Sequence, residues 1–314
     1  MLLVCCYNFF VETTKKKRVG ILRGGKGKHY DSSLRKGGEI IKHINENLRD
    51  KYKVVDILVD KDGVWHVGGL PETPHDLVHK VDIVWNVADH ENSNIFKSFS
   101  IPLVGGTNYS HVLENSAELL REHMKQINVP MPRHFVLPLY QADFDGPRER
   151  YSIKKAKEVH EKFGAPWIVK SFTPDTSMGI HLAKTFDELV GAIEDGVKHE
   201  KSILVEEFIE GKIASLHSVR NFRNEDLYTF PLGNSYGNFS NEEKEKLSNL
   251  AREIHSHINA EHYLKSDFVM NPRGKCYLLS ISLTPDLKQG SHLSEVCELV
   301  GTKIHQLVDH ILSR

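Results

Sequence analysis

Strand-like apolar segments alternate with helix-like segments over residues 18–105, and this alternation constrains the fold more than any other feature of the sequence. The strand-like segments are "RVGILRGG" (18–25), "KVVDILVD" (53–60), "VDIVWNV" (81–87) and "IPLVGG" (101–106). Helical spacing is found at Leu34, Ile41, Ile44 and Leu48. Strands that alternate with helices predict a parallel sheet covered by helices, so we expect a Rossmann-like first domain.

The rest of the chain is rich in helices first and in strands later. Helices are predicted at 109–127, 153–163, 186–197, 241–258 and 293–312. Strands are predicted in "SILVEEFIEG" (202–211), "IASLHSV" (213–219), "DLYTFPL" (226–232), "LKSDFVM" (264–270) and "KCYLLSIS" (275–282). We therefore predict an α/β protein with a tail (1–17), a first domain (18–105), a central lobe (106–205) and a C-terminal lobe (206–314).

Charge and hydropathy argue against nucleic acid and membrane as partners. The chain has 41 Lys and Arg against 42 Asp and Glu, so it has no global positive field that would attract polyanions. The longest apolar stretch, Met1–Val11, is about half of the roughly 20 residues that a membrane-spanning helix needs. Its basic cluster, Lys15–Arg18, follows the apolar part, whereas a signal peptide places charge before it. We interpret residues 1–17 as an extra tail, with a genuine anchor as the alternative, and expect a cytoplasmic protein.

The segment "WIVKSFTPDTSMGIHL" (167–182) joins two strands through a loop of hydroxyl-bearing residues and glycine. Lys170 ends the first strand, and Thr176, Ser177 and Gly179 follow in the loop. Backbone amides, hydroxyls and a well-placed lysine are the groups that bind phosphate. The segment predicts a phosphate-binding loop. The alternative is a lysine whose apolar stem packs at the strand end while its ammonium group reaches solvent.

Five stretches, in this order, resemble the ATP-grasp ligases and among them the D-alanine–D-alanine ligases. They are "GGKGKHYDSSLRKG" (24–37), "VPMPRHFVL" (129–137), "GAPWIVKSFTPDTSMGI" (164–180), "ILVEEFIEG" (203–211) and "LKSDFVMNPRGKCYLLSISLTPD" (264–286). The resemblance covers about residues 18–314 and implies an ATP-grasp fold behind a Rossmann-like domain. In that family, ATP phosphorylates the carboxylate of one D-alanine, and the amine of a second attacks the acylphosphate. The resemblance thus implies ATP, Mg²⁺, a small amino-acid-like substrate and a homodimer formed through the first domain.

The resemblance also implies which residues would bind the nucleotide. Lys170 and Ser177 would bind phosphate, and Thr176 would belong to the network that positions the nucleophile. The hinge after the strand at 203–207 would clasp adenine, mostly through backbone groups. Its residues are Glu206, Glu207 and Ile209.

Metal and catalytic positions follow from the same resemblance. Asp267 is retained, whereas Ser280 and Ser282 stand where the family has a Glu-x-Asn pair of metal ligands. Lys265 occupies the position of the arginine near the oxyanion, and His29 that of the glutamate that orients the first D-alanine. A neutral hydroxyl is a poor ligand for a hard divalent cation, so the replaced residues put Mg²⁺ binding in doubt.

Further departures weaken the implied phosphate site. Pro174 removes an amide donor from the loop, and Asp175 brings a negative charge beside the phosphates. Ala117 stands in place of a phosphate-binding lysine, and Ile213 in place of the ribose-binding glutamate. The family lid is missing, and Tyr236 is the one candidate to replace its tyrosine. ATP binding is therefore predicted to be weak or lost.

Four polar residues of the first domain have two interpretations. His29, Asp31, Asp89 and His90 would form a rebuilt polar or transition-metal site, or they are solvent-lining residues without a shared role.

For the whole chain, three functions stay open. They are a ligase-like protein that binds but does not catalyse, an active carboxylate–amine ligase with another substrate, and an active D-alanine–D-alanine ligase.

Overall fold

The computed structural model describes residues 15–27, 29–172, 178–233 and 238–314, with the side chain of His90 left out of the description. The chain divides into two compact units. The first contains the described residues up to Gly105 together with Leu287–Gln289 and Thr302–Arg314. The second contains Gly106–Asp286 and Gly290–Gly301. Both predicted lobes fall mainly within the second unit, so the boundary between them at residue 205 stays a prediction.

A six-stranded sheet forms the first unit. Its elements are β1 (Lys17–Gly24), α1 (Tyr30–Asn47), β2 (Tyr52–Val59), β3 (Trp65–Val67), β4 (Leu70–Glu72), β5 (Ile83–Asn86), α2 (Ser93–Ser98) and β6 (Leu103–Val104). The strand order is β4-β3-β2-β1-β5-β6. Strands β2, β1, β5 and β6 are parallel, as the alternating pattern predicts, and β3 and β4 add an antiparallel edge. Central strand β1 reads as a continuous apolar run because both of its faces are covered, and Val19, Ile21 and Leu22 are fully buried.

The second unit begins with two helices and an antiparallel sheet. These elements are α3 (Asn108–Asn115), α4 (Ala117–Gln126), β7 (His134–Leu137), α5 (Ala142–Asp145), α6 (Arg148–Lys162), β8 (Trp167–Ser171), β9 (His181–Ala183), α7 (Phe186–Lys198) and β10 (Ile203–Glu207). The strand order of this sheet, called the first sheet of the unit, is β7-β10-β8-β9. One of its faces forms a core with apolar side chains of α6 and α7, among them Val159 and Ile193.

A second antiparallel sheet follows in the same unit. Its elements are β11 (Lys212–Arg220), β12 (Leu227–Thr229), α8 (Asn241–Ile258), β13 (Tyr263–Met270), β14 (Cys276–Ser282) and α9 (His292–Leu299). The strand order of this second sheet is β12-β11-β13-β14. Alternate residues such as Leu216, Leu264 and Phe268 pack with α8 and with Leu120 and Met124 of α4. The opposite face carries the polar side chains of Ser215, Lys265 and Asp267 among apolar neighbours.

Two helices predicted as continuous are broken. The helix predicted at 109–127 ends at Asn115 because Ser116 has extended backbone and caps α4, where its hydroxyl accepts from the Leu119 amide at 3.3 Å. The helix predicted at 293–312 breaks at Gly301, whose φ of 67° ends the first segment.

A last helix, α10 (Ile304–Leu312), belongs to the first unit rather than the second. It packs against α1, and its Asp309 accepts from Lys51 Nζ at 2.6 Å and from the Tyr52 hydroxyl at 2.8 Å. The first unit is therefore built from two distant parts of the chain. Within the described ranges, no helix combines the length and the apolar character that crossing a membrane requires.

Candidate functional site

Lys170 and Glu206 lie side by side on one face of the first sheet. Lys170 of β8 pairs with Leu204 of β10, and the alternation along each strand places Lys170 and Glu206 on the same face. The opposite face carries the core residues Val169 and Val205, both 0% exposed. Lys170 Nζ lies 2.5 Å from Glu206 Oε2, and the lysine side chain keeps 35% of its surface exposed. Lys170 therefore points away from the core.

Arg121 supplies a second cation to the same carboxylate. Its Nη2 lies 3.7 Å from Glu206 Oε1. Arg121 also donates through Nη1 to the Ala117 carbonyl at 3.2 Å and through Nη2 to the Pro132 carbonyl at 3.0 Å. Burial lowers the pKa of Arg121, while the charge of Glu206 opposes that shift. Two cations sharing one carboxylate leave positive charge on this face, which suits an anion. Such an anion has to compete with Glu206 for the ammonium group of Lys170.

The predicted hinge continues directly from β10. The Glu207 amide donates to the Arg133 carbonyl at 2.8 Å, and the Phe208 amide donates to the Pro166 carbonyl at 3.1 Å. Glu207 also forms an ion pair with Arg133 at 2.8 Å, and the hydrogen bond from Arg133 holds the pKa of Glu207 below its usual value. Ile209 follows as a half-buried residue. These contacts fix the backbone path of the hinge up to Phe208.

Asp267 lies on the polar face of the second sheet and is surrounded by donors. Its Oδ1 accepts from the Ser215 hydroxyl at 2.5 Å, and its Oδ2 accepts from the Ser280 hydroxyl at 2.9 Å. Lys265 Nζ lies 2.9 Å from Oδ1. The strands explain this cluster. Lys265 and Asp267 are two residues apart and lie on one face of β13, and Asp267 pairs with Ser280 of the neighbouring strand β14.

This donor set does not fit Mg²⁺. The ion binds through oxygen lone pairs, usually of carboxylates, whereas the oxygens of Asp267 already accept from two hydroxyls and an ammonium group. The positive charge of Lys265 would also repel a divalent cation. Over the ranges that the structure describes, no group of three or more His, Cys, Asp or Glu side chains is arranged to hold a metal ion.

Glu114 of α3 is a residue of the site that the sequence reasoning missed. One of its oxygens accepts from the Ser282 hydroxyl and from the Leu283 amide, both at 3.1 Å. The other lies 3.1 Å from Nδ1 of His111. Burial would raise the pKa of Glu114, but the bond to His111 and the other two donors hold it below its usual value. The one signal in the sequence is the spacing of His111 and Glu114, which places them on the same face of a helix.

A buried hydrogen-bonded chain lies beside Lys265 in the second sheet. His217 Nδ1 contacts the Tyr263 hydroxyl at 2.6 Å, and His217 Nε2 contacts His292 Nδ1 at 2.8 Å. Burial lowers the pKa of His217 well below its usual value, and burial together with nearby acidic groups raises that of Tyr263. Burial also lowers the pKa of His292, so all three groups are neutral near pH 7. The sequence gives no signal for these hydrogen bonds, because the protein has 19 histidines and the two that meet are far apart in the sequence.

The predicted residues of the first unit surround a glycine turn. His29 and Asp31 are exposed at the start of α1. Asp89 accepts from the Lys26 amide at 2.8 Å. Gly25 has a φ of 116°, and a Cβ on it would lie 2.4 Å from Asp89 Oδ2, so the close approach of this carboxylate requires glycine.

Several predicted residues lie outside the described ranges. They are Thr176 and Ser177, with Pro174 and Asp175 of the same loop, and Tyr236. Their roles stay predictions, as does the expectation that Lys170 and Asp267 line one cleft.

Comparison with known proteins identifies relatives over nearly the whole chain. Residues 124–236 match the family described as the D-ala D-ala ligase C-terminus. A D-alanine–D-alanine ligase of Christiangramia forsetii is 23% identical over 328 residues, which cover 93% of this chain and 96% of the relative. The VanG D-Ala:D-Ser ligase of Enterococcus faecalis has a TM-score of 0.73 at 17% identity, over 95% of this chain and 99% of its own. The D-alanine–D-alanine ligase of Bacillus anthracis, solved in complex with ATP, has a TM-score of 0.70 at 18% identity, over 95% of this chain and 96% of its own.

The chain is therefore similar to D-alanine–D-alanine ligases and has their ATP-grasp fold. This finding confirms both the resemblance carried by the five motifs and the predicted α/β fold class.

Proposed function

We propose that this ligase-like protein binds ATP weakly on the Lys170 face and does not join two D-alanine molecules. The observation that carries the proposal is the environment of Asp267. Its oxygens accept from Ser215, Ser280 and Lys265, so the carboxylate aligned with a metal ligand is already engaged. Transfer of a phosphoryl group relies on bound metal ions to neutralise the phosphates. Without such ions the reaction loses its largest source of charge stabilisation.

The ATP part of the proposal rests on the first sheet. The Bacillus anthracis relative was solved with ATP. Here Lys170 and Arg121 share one carboxylate, so positive charge is left for a phosphate. Binding is weak because the phosphate must displace Glu206 from Lys170.

The test is a coupled assay of phosphate release with ATP, Mg²⁺ and D-alanine. We expect no D-alanine-dependent phosphate from this protein, since loss of a single stabilising donor lowers turnover by about 10²–10³ and several charges are replaced here. The Christiangramia forsetii ligase, assayed in parallel, is the positive control. D-alanine-dependent turnover by this protein contradicts the proposal.

A second candidate is an active carboxylate–amine ligase that joins other small amino acids. Glu114 favours it, because this carboxylate lies 3.1 Å from the hydroxyl of Ser282, one of the two serines at the positions of the lost ligands. In this alternative Glu114 contributes the acidic charge that Ser280 and Ser282 lack. Turnover of D-alanine with D-serine, the pair named for the VanG enzyme, is the first reaction to assay.

The variant Glu114→Gln distinguishes the two candidates. If the active-ligase candidate is correct, Glu114→Gln abolishes amino-acid-dependent phosphate release, whereas Glu122→Gln, on the exposed side of α4, leaves it unchanged. If the binding-only proposal is correct, neither variant nor the wild type releases phosphate with any amino-acid pair.

A further inference from the structure

We infer that a cavity of the second unit binds a small organic anion that combines an acidic group with an aromatic ring. The cavity measures about 580 Å³, which lies within the range of small-molecule sites. It lies between α4, the segment Val129–His134 and the end of α6. Lys170, Glu206 and Asp267 are not among its lining residues. Arg121 borders both this cavity and the site proposed for ATP, so the two are neighbouring sites that share one cation.

The charges of the cavity wall are of one sign. Four of its ten lining residues are Lys or Arg, and none is Asp or Glu. Arg133 is paired with Glu207, and Arg121 lies 3.7 Å from a carboxylate oxygen of Glu206. Lys125 and Lys162 have no carboxylate partner within the part of the chain that the structure describes. A cavity lined by cations with too few acidic partners concentrates anions.

Arg121 is the buried group that points to a ligand. The residue is only 8% exposed, and its Nε is a buried donor with no hydrogen-bond partner among the described residues. A buried donor left without a partner costs about 1–3 kcal/mol. Burial lowers the pKa of Arg121, and burial and the charge of Arg121 lower that of the neighbouring His134. The shift of His134 thus reflects the positive charge of Arg121 beside it, which Glu206 and Glu118 offset in part.

The remaining wall is apolar and suits a ring. It contains Phe163, Met131 and two prolines, Pro130 and Pro132. The guanidinium carbon of Arg133 lies 5.5 Å from the centre of the Phe163 ring, within the range of a cation–π contact. Phe163 is only 4% exposed, so the surface that a ring would contact is formed mainly by the half-buried Pro130 and Met131. The cavity therefore offers cations at one part and an apolar surface at another, which is the combination that an aromatic phosphate or carboxylate requires.

The test is calorimetric titration with phenyl phosphate, compared with phenol and inorganic phosphate. We expect phenyl phosphate to bind more tightly than either fragment and to weaken as salt is added, because the contact is partly ionic. The double variant Lys125→Gln/Lys162→Gln should bind at least about tenfold more weakly. Lys154→Gln/Lys157→Gln, two exposed lysines of α6 outside the cavity, is matched in charge and should bind as the wild type does.

Three results would overturn the inference. They are the absence of phenyl phosphate binding, equal loss of affinity in the two double variants, and loss of binding in Lys170→Met, which would place the ligand on the ATP face. None of them bears on phosphate release from ATP. The inference can thus fail while the proposed function stands, and the proposed function can fail while the inference stands.

Discussion

The two four-stranded sheets of the second unit each place a lysine beside a carboxylate, but the two pairs differ in what surrounds them. In the first sheet, Glu206 is shared by Lys170 and Arg121, so cations exceed acids. In the second sheet, Asp267 is surrounded by Lys265 and two hydroxyls, so its carboxylate is already engaged by donors of this protein. The comparison teaches that the same lysine–carboxylate pair leaves net positive charge where a second cation joins it, and leaves an engaged carboxylate where hydroxyl donors join it.

The largest expected effect comes from removing Lys170, the cation of the first sheet that we propose binds phosphate. Lys170→Ala leaves Glu206 facing the nucleotide and removes a charge-assisted contact of about 1.5–3 kcal/mol. Since the proposed binding is weak, we expect ATP titration of Lys170→Ala by calorimetry to give no measurable heat. Lys184→Ala, which changes an exposed lysine directly after β9, should titrate as the wild type does. Equal binding by Lys170→Ala and wild type would remove Lys170 from the site.

The second sheet should be the more sensitive of the two to acid. His255 of α8 is buried and contacts Ser218 Oγ at 2.7 Å. Burial, and next the charge of Arg220, lower its pKa to about 4. An unfolded histidine has a pKa of about 6.5. Between these values the unfolded chain binds a proton that the folded chain does not, so stability is complete above about pH 6.5 and falls as the pH is lowered towards 4.

Urea denaturation at pH 7.5 and pH 5 measures this dependence. We expect His255 to account for a loss of about 2 kcal/mol in unfolding free energy at pH 5, and His255→Gln to lose correspondingly less. His160→Gln, an exposed histidine beside the first sheet, should keep the wild-type dependence. An identical pH dependence for His255→Gln and wild type would show that His255 is not the sensitive group.

The smallest effect expected is that of Mg²⁺ on ATP affinity. Because Asp267 is already engaged, Mg²⁺ should change the affinity of the wild type by less than about tenfold, or about 1.4 kcal/mol. The double variant Ser280→Glu/Ser282→Asn should acquire a larger effect, since it returns an acid and an amide to β14 beside Asp267. Calorimetric titration with and without Mg²⁺ compares the two. A strong Mg²⁺ effect in the wild type would reveal a metal site that Asp267 does not explain.

Local signals made much of the fold predictable. Helix α8 runs over Asn241–Ile258 as predicted, because Ser240 and Glu243 form a capping box at its start and Asn259 adopts a left-handed conformation at its end. The pairing of Lys265 with Asp267 follows from the two-residue period of a strand. In contrast, the helix expected at 293–312 is divided, because Gly301 follows the first segment and the second belongs to the other unit.

The contacts that decide the candidate site were not predictable in the same way. Glu114 and Ser282 are separated by 168 residues, and no spacing in one sequence indicates that they meet. Similarly, His217 and His292 are 75 residues apart. The sequence showed which charged residues the family resemblance leads one to expect, and which of them are replaced in this protein. It could not show which distant carboxylate lies beside the replaced positions, because that depends on tertiary packing.

The discontinuous first unit has a consequence for how the protein forms during translation. At about 5–20 residues per second, the roughly 200 residues between β6 and α10 take about 10–40 s to synthesise. Until α10 emerges from the ribosome, the face of α1 that it covers stays open, and Asp309 is not yet available to Lys51 and Tyr52. The first unit therefore stays incomplete, with the α10-facing side of α1 accessible to chaperones, while the whole second unit is made and can fold first.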